Sequence, residues 1–308
     1  MPTPTYQGVI LAAGGGTRMG PLADHYPKAL LPVANVPLIH RHLETLRDLG
    51  VTETFIVVGH LGEQVREAVG NGARWGMAIH VVEQGERLGI AHAVAALESR
   101  IHHAFVLLLG DICYSLHEPA RMMEHVESHQ AAAVLAVKME SVPAPVQRNF
   151  SVEMDERGQV HQVVEKPSAP TTLCKGCGVY VFTPTLFDAI RKTPRSALRN
   201  EYELTDAIQC LIDSGASVVG SFVVDWDVNL TTPADLIESN RRVLSAQSKS
   251  ALVGEGCQIA SGTTFHETVV GHGVHIVQPC RLERCVVFPG TVMDTPGPLL
   301  DQVCYPEG

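Results

Sequence analysis

The sequence predicts an α/β protein: a doubly wound, mostly parallel sheet followed by a short parallel β-helix. Three observations carry that prediction. Apolar runs alternate with helical patterns from Gly8 to Gly110, a β-rich stretch with one tight turn follows, and apolar residues recur in hexads beyond Val253. Strand, helix, strand in repetition is the pattern of a parallel sheet with crossover helices.

The elements follow in order. "GVILAA" (8 to 13), "TFIVV" (54 to 58), "AIHVVE" (78 to 83) and "AFVLLLG" (104 to 110) read as strands. Between them "PLIHRHLETLRDLG" (37 to 50), "GEQVREAV" (62 to 69) and "IAHAVAALES" (90 to 99) place apolar residues at three- and four-residue steps and read as helices. In such sheets ligands bind beyond the carboxyl ends of the strands, so the residues just after each strand carry the functional weight. "AAAVLAVK" is a further strand, and "FSVEMDERGQVHQVVEKP" reads as a hairpin turning at Asp155 to Gly158. "GVYVF" (178 to 182) leads through Pro184 into a helix, "ELTDAIQCLIDSG" (203 to 215) is another, and "TTPADLIESNRRVLS" (231 to 245) opens on a Thr cap with Pro in its first turn.

Val253, Ile259, Phe265, Val270, Ile276, Leu282 and Phe288 then recur at steps of six, six, five, six, six and six. Such a repeat is that of a parallel β-helix, here about two coils long, and reads as a packing or subunit-contact stub. The chain thus divides into a domain over 1–246 and a tail over 247–308.

Composition bounds what this fold does. The 308 residues are 45 % apolar and 18 % charged, an ordinary globular balance. With a formal charge of −10 and no basic run, the chain lacks the footprint of a nucleic-acid binder. No apolar run is long enough for a membrane span, and "MPTPTYQGVILAAGGG" lacks the basic region of a signal peptide, so a cytoplasmic protein is expected. The eight cysteines are expected to be reduced; Cys174 and Cys177 have ligand-like spacing, but a lone C-x-x-C reads as two buried thiols. The apolar hexads predict a homo-oligomer.

The chemistry concentrates in "LAAGGGTRMGPLADHYPKALLPV" (11 to 33). Gly14, Gly15 and Gly16 let backbone N–H groups approach a phosphate without a Cβ in the way. The loop fits neither standard fingerprint: from Gly15 a P-loop would need Lys where Pro21 stands, and from Gly14 a dinucleotide loop would need Gly where Met19 stands. Arg18 and Lys28 add a forked and a point cation, and together they suit a triphosphate. Asp111 directly follows an apolar strand and Asp227 follows Trp226 at the end of another, so the two carboxylates could share a hard Mg²⁺.

These strings, followed by "IVVGHLGEQVREAVGNGARWG", "VVEQGERLGIAHAV", "VLLLGD", "VVEKP", "GVYVF", "YELTDAI" and "DWDVNLTTPADLIESNRRVL", resemble the sugar-phosphate nucleotidyltransferases in order and spacing from residue 8 to about 245. They are most like the long-form glucose-1-phosphate thymidylyltransferases, whose tail is β-helical. The resemblance implies a Rossmann-like fold of the nucleotide-diphospho-sugar transferase type with a left-handed β-helix stub. It also implies transfer of a nucleotidyl group from a nucleoside triphosphate to a sugar 1-phosphate with release of pyrophosphate. Carried over residue by residue, it places Leu11, Ala13, Gly14, Gly15, Gln84 and Gly89 at the nucleotide. Glu165, Lys166 and Gly178 fall at the sugar phosphate, and Asp111 and Asp227 at Mg²⁺. Arg18 would steady the departing pyrophosphate, Lys28 the α-phosphate and Lys166 the incoming phosphate.

The chain departs from the family pattern at Val228-Asn229 and at Phe150-Ser151, where glycines are usual; a ring at Phe150 would narrow the sugar pocket. "LAAG" leans toward dTTP or UTP, with glucose 1-phosphate the favoured sugar. The alternative reading is a catalytically silent regulatory subunit, which would have lost charges at the loop, yet Arg18, Lys28, Asp111, Lys166 and Asp227 are all present.

Overall fold

The run from Gly8 becomes strand Gln7–Ala12, every residue to Leu11 buried, and it takes the middle of the main sheet in a computed structural model that describes residues 6–197 and 199–306. The expectation about a leader rests partly on residues 1–5, which lie outside those described. The chain forms two compact units. One takes the chain up to Gly14 and His42–Asp227, the other Gly15–Arg41 and the chain from Val228 onward.

In the first unit, Phe105–Leu109, Gln7–Ala12, Glu53–Val58 and Ala78–Glu83 lie side by side in that order, all parallel. In chain order, the first of these four parallel strands is thus flanked by the second and the fourth, which is the switch point where a doubly wound sheet opens a crevice. The sheet continues antiparallel through Cys174–Phe182, Phe150–Met154 and Val160–Glu165, while Ala133–Met139 pairs with Cys174–Phe182 and carries Val218–Ser221. The predicted hairpin turns where expected. The Asp155 carboxylate accepts bonds from the backbone N–H groups of Arg157 and Gln159, which also hold its pKa below the usual carboxylate range. Helices Gly62–Val69 and Leu204–Asp213 match the periodicity, whereas the pattern at 90 to 99 yields only Ile90–Ala95. Val224–Asn229 pairs with Ile112–Leu116, and the Asp225 carboxylate accepts bonds from the Ser115 hydroxyl and the His117 ring.

Two close approaches shape the strand ends. A Cβ on Gly110 would meet the Leu11 carbonyl oxygen at 2.7 Å, and one on Gly59 would meet the Ala13 carbonyl oxygen at 2.8 Å. Only glycine lets the three chains converge so tightly after their strands.

In the second unit, helix Pro233–Ala246 opens on a capping box in which Thr232 and Asp235 bond each other's backbone. The hexads form three faces of parallel strands. Ala251–Val253, Thr268–Val270, Val286–Val287 and Val303–Cys304 stack on one face. The coil repeat is 17 residues, as Val270 opposite Val287 shows; every coil has one five-residue corner, so after Leu282 the next interior position is Val287 rather than the expected Phe288. Val270, Ile276 and Leu282 fill the interior as predicted, while Val253 at the first coil is 40 % exposed. Among the described residues, no helix is long and apolar enough to cross a membrane.

Candidate active site

At the switch point of the first unit, Gly14 is exposed, and a Cβ placed on it would sit 3.9 Å from Oδ2 of Asp111. Asp111 is held there because Gly110 hydrogen-bonds the Leu11 carbonyl as the two parallel strands end together. The predicted neighbours Ala13, Gly14 and Asp111 therefore lie together at the strand ends, whereas the Leu11 side chain is buried in the core. Gln84 continues the next strand but one, its N–H bonding the Val58 carbonyl at 2.7 Å.

Gly89 adopts φ +109°, and any Cβ there would meet the Tyr202 carbonyl oxygen at 2.5 Å. Tyr202 clasps this loop by donating to the Leu88 carbonyl and accepting from the Ala91 N–H. Gly89 thus has a packing reason of its own, independent of any base.

Glu165 ends strand Val160–Glu165 with both oxygens engaged: Arg199 lies 3.1 Å from Oε1 and the Thr205 hydroxyl donates to Oε2 at 2.7 Å. Lys166 follows in the left-handed region at φ 44°, its ammonium 3.4 Å from Glu165 Oε1. Arg199 also grips Glu203 at 2.6 Å, making it the centre of a cluster of Glu165, Lys166 and Glu203. Burial pushes the carboxyls of Glu203 and Asp206 up, with the Glu165 charge adding to it. Sequence reasoning missed Arg199 and Glu203; the only signal was that Glu203 lies within "YELTDAI" and Arg199 shortly before it. Gly178 adopts φ +71°, and a Cβ there would meet the Ile112 side chain at 2.4 Å, so it accommodates the irregular pairing between Gly176 and Tyr180.

Asp227 differs from its expectation. Its side chain is 1 % exposed, and Lys175 donates to both oxygens at 2.8 and 2.7 Å. Lys138 stands 3.5 Å from the same carboxylate, and Glu140 bonds Lys175 at 3.1 Å and Lys138 at 3.0 Å. Burial presses the Lys175 ammonium down, but the carboxylates of Asp227 and Glu140 outweigh it and hold it above the usual lysine range. Two ammonium groups and two carboxylates balance here. As arranged, Asp227 does not fit a divalent cation, which would have to displace Lys175 beside a second lysine; Asp111, half-buried beside the exposed Gly14, does fit one. Among the described residues no three His, Cys, Asp or Glu side chains form a metal cluster.

Phe150 does not face an open pocket. Its ring is 5 % exposed and lies over Gly176, where a Cβ would come within 1.8 Å of Cζ, and it stacks on Tyr180. Cys174 and Cys177 are buried in one strand, and burial raises the Cys174 thiol to about 11.

The second unit carries the rest of the glycine loop. Gly16 is left-handed at φ +65°, and Lys28 Cγ and Cε lie 3.4 and 3.5 Å from where its Cβ would be, so the lysine stem runs along the glycine. Short turns at Thr17–Met19, Leu22–His25 and Lys28–Leu30 fold the ten-residue interval back on itself, with Met19 and Leu22 buried beneath it. Gly15 and Arg18 are exposed.

A family model described as nucleotidyl transferase matches residues 7–245. The chain is 35 % identical over 244 residues to the low-salt glycan biosynthesis nucleotidyltransferase Agl11 of Haloferax volcanii, covering 79 % of this chain and 67 % of that one. It is 31 % identical over 286 residues to a glucose-1-phosphate thymidylyltransferase of Streptomyces griseus, covering 87 % of this chain and 78 % of the relative. Among solved structures, a UDP-glucose pyrophosphorylase complexed with UDP-glucose superposes with a TM-score of 0.69 at 22 % identity, over 79 % of this chain and 99 % of that one. The last likeness speaks to the fold alone.

Proposed function

The chain belongs to the nucleotidyl transferase family, and from that premise we propose that it joins a nucleoside triphosphate to a sugar 1-phosphate, giving a nucleoside-diphosphate sugar and pyrophosphate. dTTP or UTP is the favoured nucleotide and glucose 1-phosphate the favoured sugar. What supports the reading is the exposed Gly14–Gly15 turn at the end of Gln7–Ala12, followed by an exposed Arg18 and by Lys28 lying along Gly16.

In the proposed reaction an anionic oxygen of the sugar phosphate attacks the α-phosphorus, the bond from that phosphorus to the bridging oxygen breaks, and pyrophosphate leaves. The attacking oxygen carries no proton, so no general base is needed and catalysis reduces to positioning and charge neutralisation. Lys28 is assigned to the α-phosphate, where charge builds, and Arg18 to the departing pyrophosphate. Lys166 is assigned to the incoming phosphate and Glu165, oriented by Arg199 and Thr205, to sugar hydroxyls. Leu11, Ala13, Gly14, Gly15, Gln84 and Gly89 are assigned to the nucleotide, and Gly178 to the sugar-phosphate side. Mg²⁺ is the proposed cofactor, with Asp111 as its protein ligand; when bound, such a cation neutralises phosphate charge. The catalytic segment is 1–246, the tail 247–308 and the assembly a homo-oligomer in the cytoplasm, where nucleoside triphosphates are made.

The test is a matrix of nucleoside triphosphates against sugar 1-phosphates with Mg²⁺, read by pyrophosphate release. Turnover is expected with dTTP or UTP. Nucleotide binding with no turnover for any pair would overturn the enzyme in favour of the regulatory subunit.

A further inference from the structure

The segment that carries Lys28 is gripped on both sides by the C-terminal part of the second unit. On the N-terminal side, the Tyr26 ring packs edge-on to Phe288 with centroids 5.0 Å apart and to Tyr305 at 6.5 Å. Phe288 is 1 % exposed and belongs to the β-helix, and burial pushes the Tyr26 phenol up. On the C-terminal side, the turn at Ala34 and Asn35 is left-handed at both residues, with φ 50° and 62°. The Ala34 N–H donates to Asn240 Oδ1 at 2.7 Å, the Asn240 amide donates to the Pro32 carbonyl at 3.1 Å, and the Asn35 amide donates to the Val270 carbonyl at 2.8 Å. Asn240 is 1 % exposed, and its amide also donates to the Leu236 carbonyl at 2.9 Å, so the side chain is fixed between its own helix and the turn.

We infer that the β-helical tail, with helix Pro233–Ala246 before it, is a positioning device for the nucleotide loop: Phe288 and Tyr305 of the tail at one end, and Asn240 of the helix and Val270 of the tail at the other, hold the short segment bearing Lys28 in place along Gly16. The segment itself is a chain of single turns, too short to be stable alone. Its order comes from the clamps. The role assigned to Lys28 rests on the proposed function, but the clamp itself is a statement about the loop and is measurable without turnover. The tail is then more than a packing or subunit-contact stub, because loosening an aromatic contact in it frees a cation meant for the α-phosphate.

The experiment compares the full-length chain with Phe288→Ala, Tyr305→Ala, Asn35→Gly and, as the conservative variant, Tyr26→Phe. Backbone hydrogen exchange of residues 16–31 and the KM for the nucleoside triphosphate are read together. The expected result is faster exchange confined to 16–31 and the 32–37 turn in the first three variants, with the KM raised by about tenfold, since a displaced cation costs positioning. Tyr26→Phe keeps the ring and stays like the parent. Asn35→Gly preserves the left-handed backbone while deleting one bond, so it carries the test if Phe288→Ala does not fold. Unchanged exchange and KM in the folded variants would overturn the inference. Altered exchange in a protein that turns over no nucleotide would instead overturn the proposed function and leave the clamp standing.

Discussion

Replacing Lys175 by Met isolates the charge balance around Asp227. The substitution keeps the length of the side chain but leaves a carboxylate that is 1 % exposed without its nearest counter-ion. Breaking a buried pair from one side costs about 3–5 kcal/mol, most of it the burden of the orphaned charge. Lys138, at 3.5 Å from Asp227, can take up part of that charge and places the expected loss near the lower limit, about 3 kcal/mol or a hundredfold in the folded-to-unfolded ratio. In Lys175→Met/Asp227→Asn both charges are gone, and Lys138 with Glu140 remains a pair at 3.0 Å. The double variant should therefore be more stable than Lys175→Met alone. Urea unfolding of the four proteins, compared at equal slope, gives the coupling directly. Costs that simply add would refute the pairing. Mn²⁺ binding followed by electron paramagnetic resonance reads the other half: Asp227→Asn should keep its affinity, whereas Asp111→Asn should weaken it by at least about tenfold, since even outer-shell partners are worth that much. Loss of Mn²⁺ in both variants would restore Asp227 as a metal ligand.

Asp111→Asn should lower turnover by about a hundredfold or more with the melting temperature nearly unchanged, because the isosteric change falls on a half-buried strand end rather than in the core; unaltered activity would remove Asp111 from the site. Gly176→Ala should cost about 1–3 kcal/mol, because its methyl would meet Phe150 at 1.8 Å; in a Phe150→Ala background the same change should cost almost nothing, and equal costs in urea titrations would refute the matched pair. Burial raises the Asp206 carboxyl, so the folded state binds its proton more tightly than the unfolded chain and stability falls as pH rises from the ordinary carboxylate range through the raised value. Asp206→Asn should accordingly melt higher than the parent at pH 7 and lose that advantage below about pH 4, as thermal melts across that range will show.

Much of the site was legible because its signals are local. The glycines after Gln7–Ala12, Asp111 after Phe105–Leu109 and the Glu165-Lys166 pair all sit at strand ends that periodicity alone locates. Arg199 was not legible, since its partners Glu165 and Glu203 reach it from opposite directions along the chain. Phe150 was misjudged for a related reason: its fit over Gly176 joins two strands that only tertiary pairing brings together.

Taken alone, the sequence determined the alternation of strands and helices, the turn at Asp155 and the coil of the tail, shortened at one corner, because period and turn chemistry act between residues close in the chain. The tertiary structure decided which charges meet. Whether Asp227 faces a cation from solution or one from the protein depends on Lys175, 52 residues away. The loop around Lys28 likewise owes its place to Phe288 and Asn240, far down the chain. Ion pairs and ring contacts are made through space between distant segments, and the order of residues does not encode them locally.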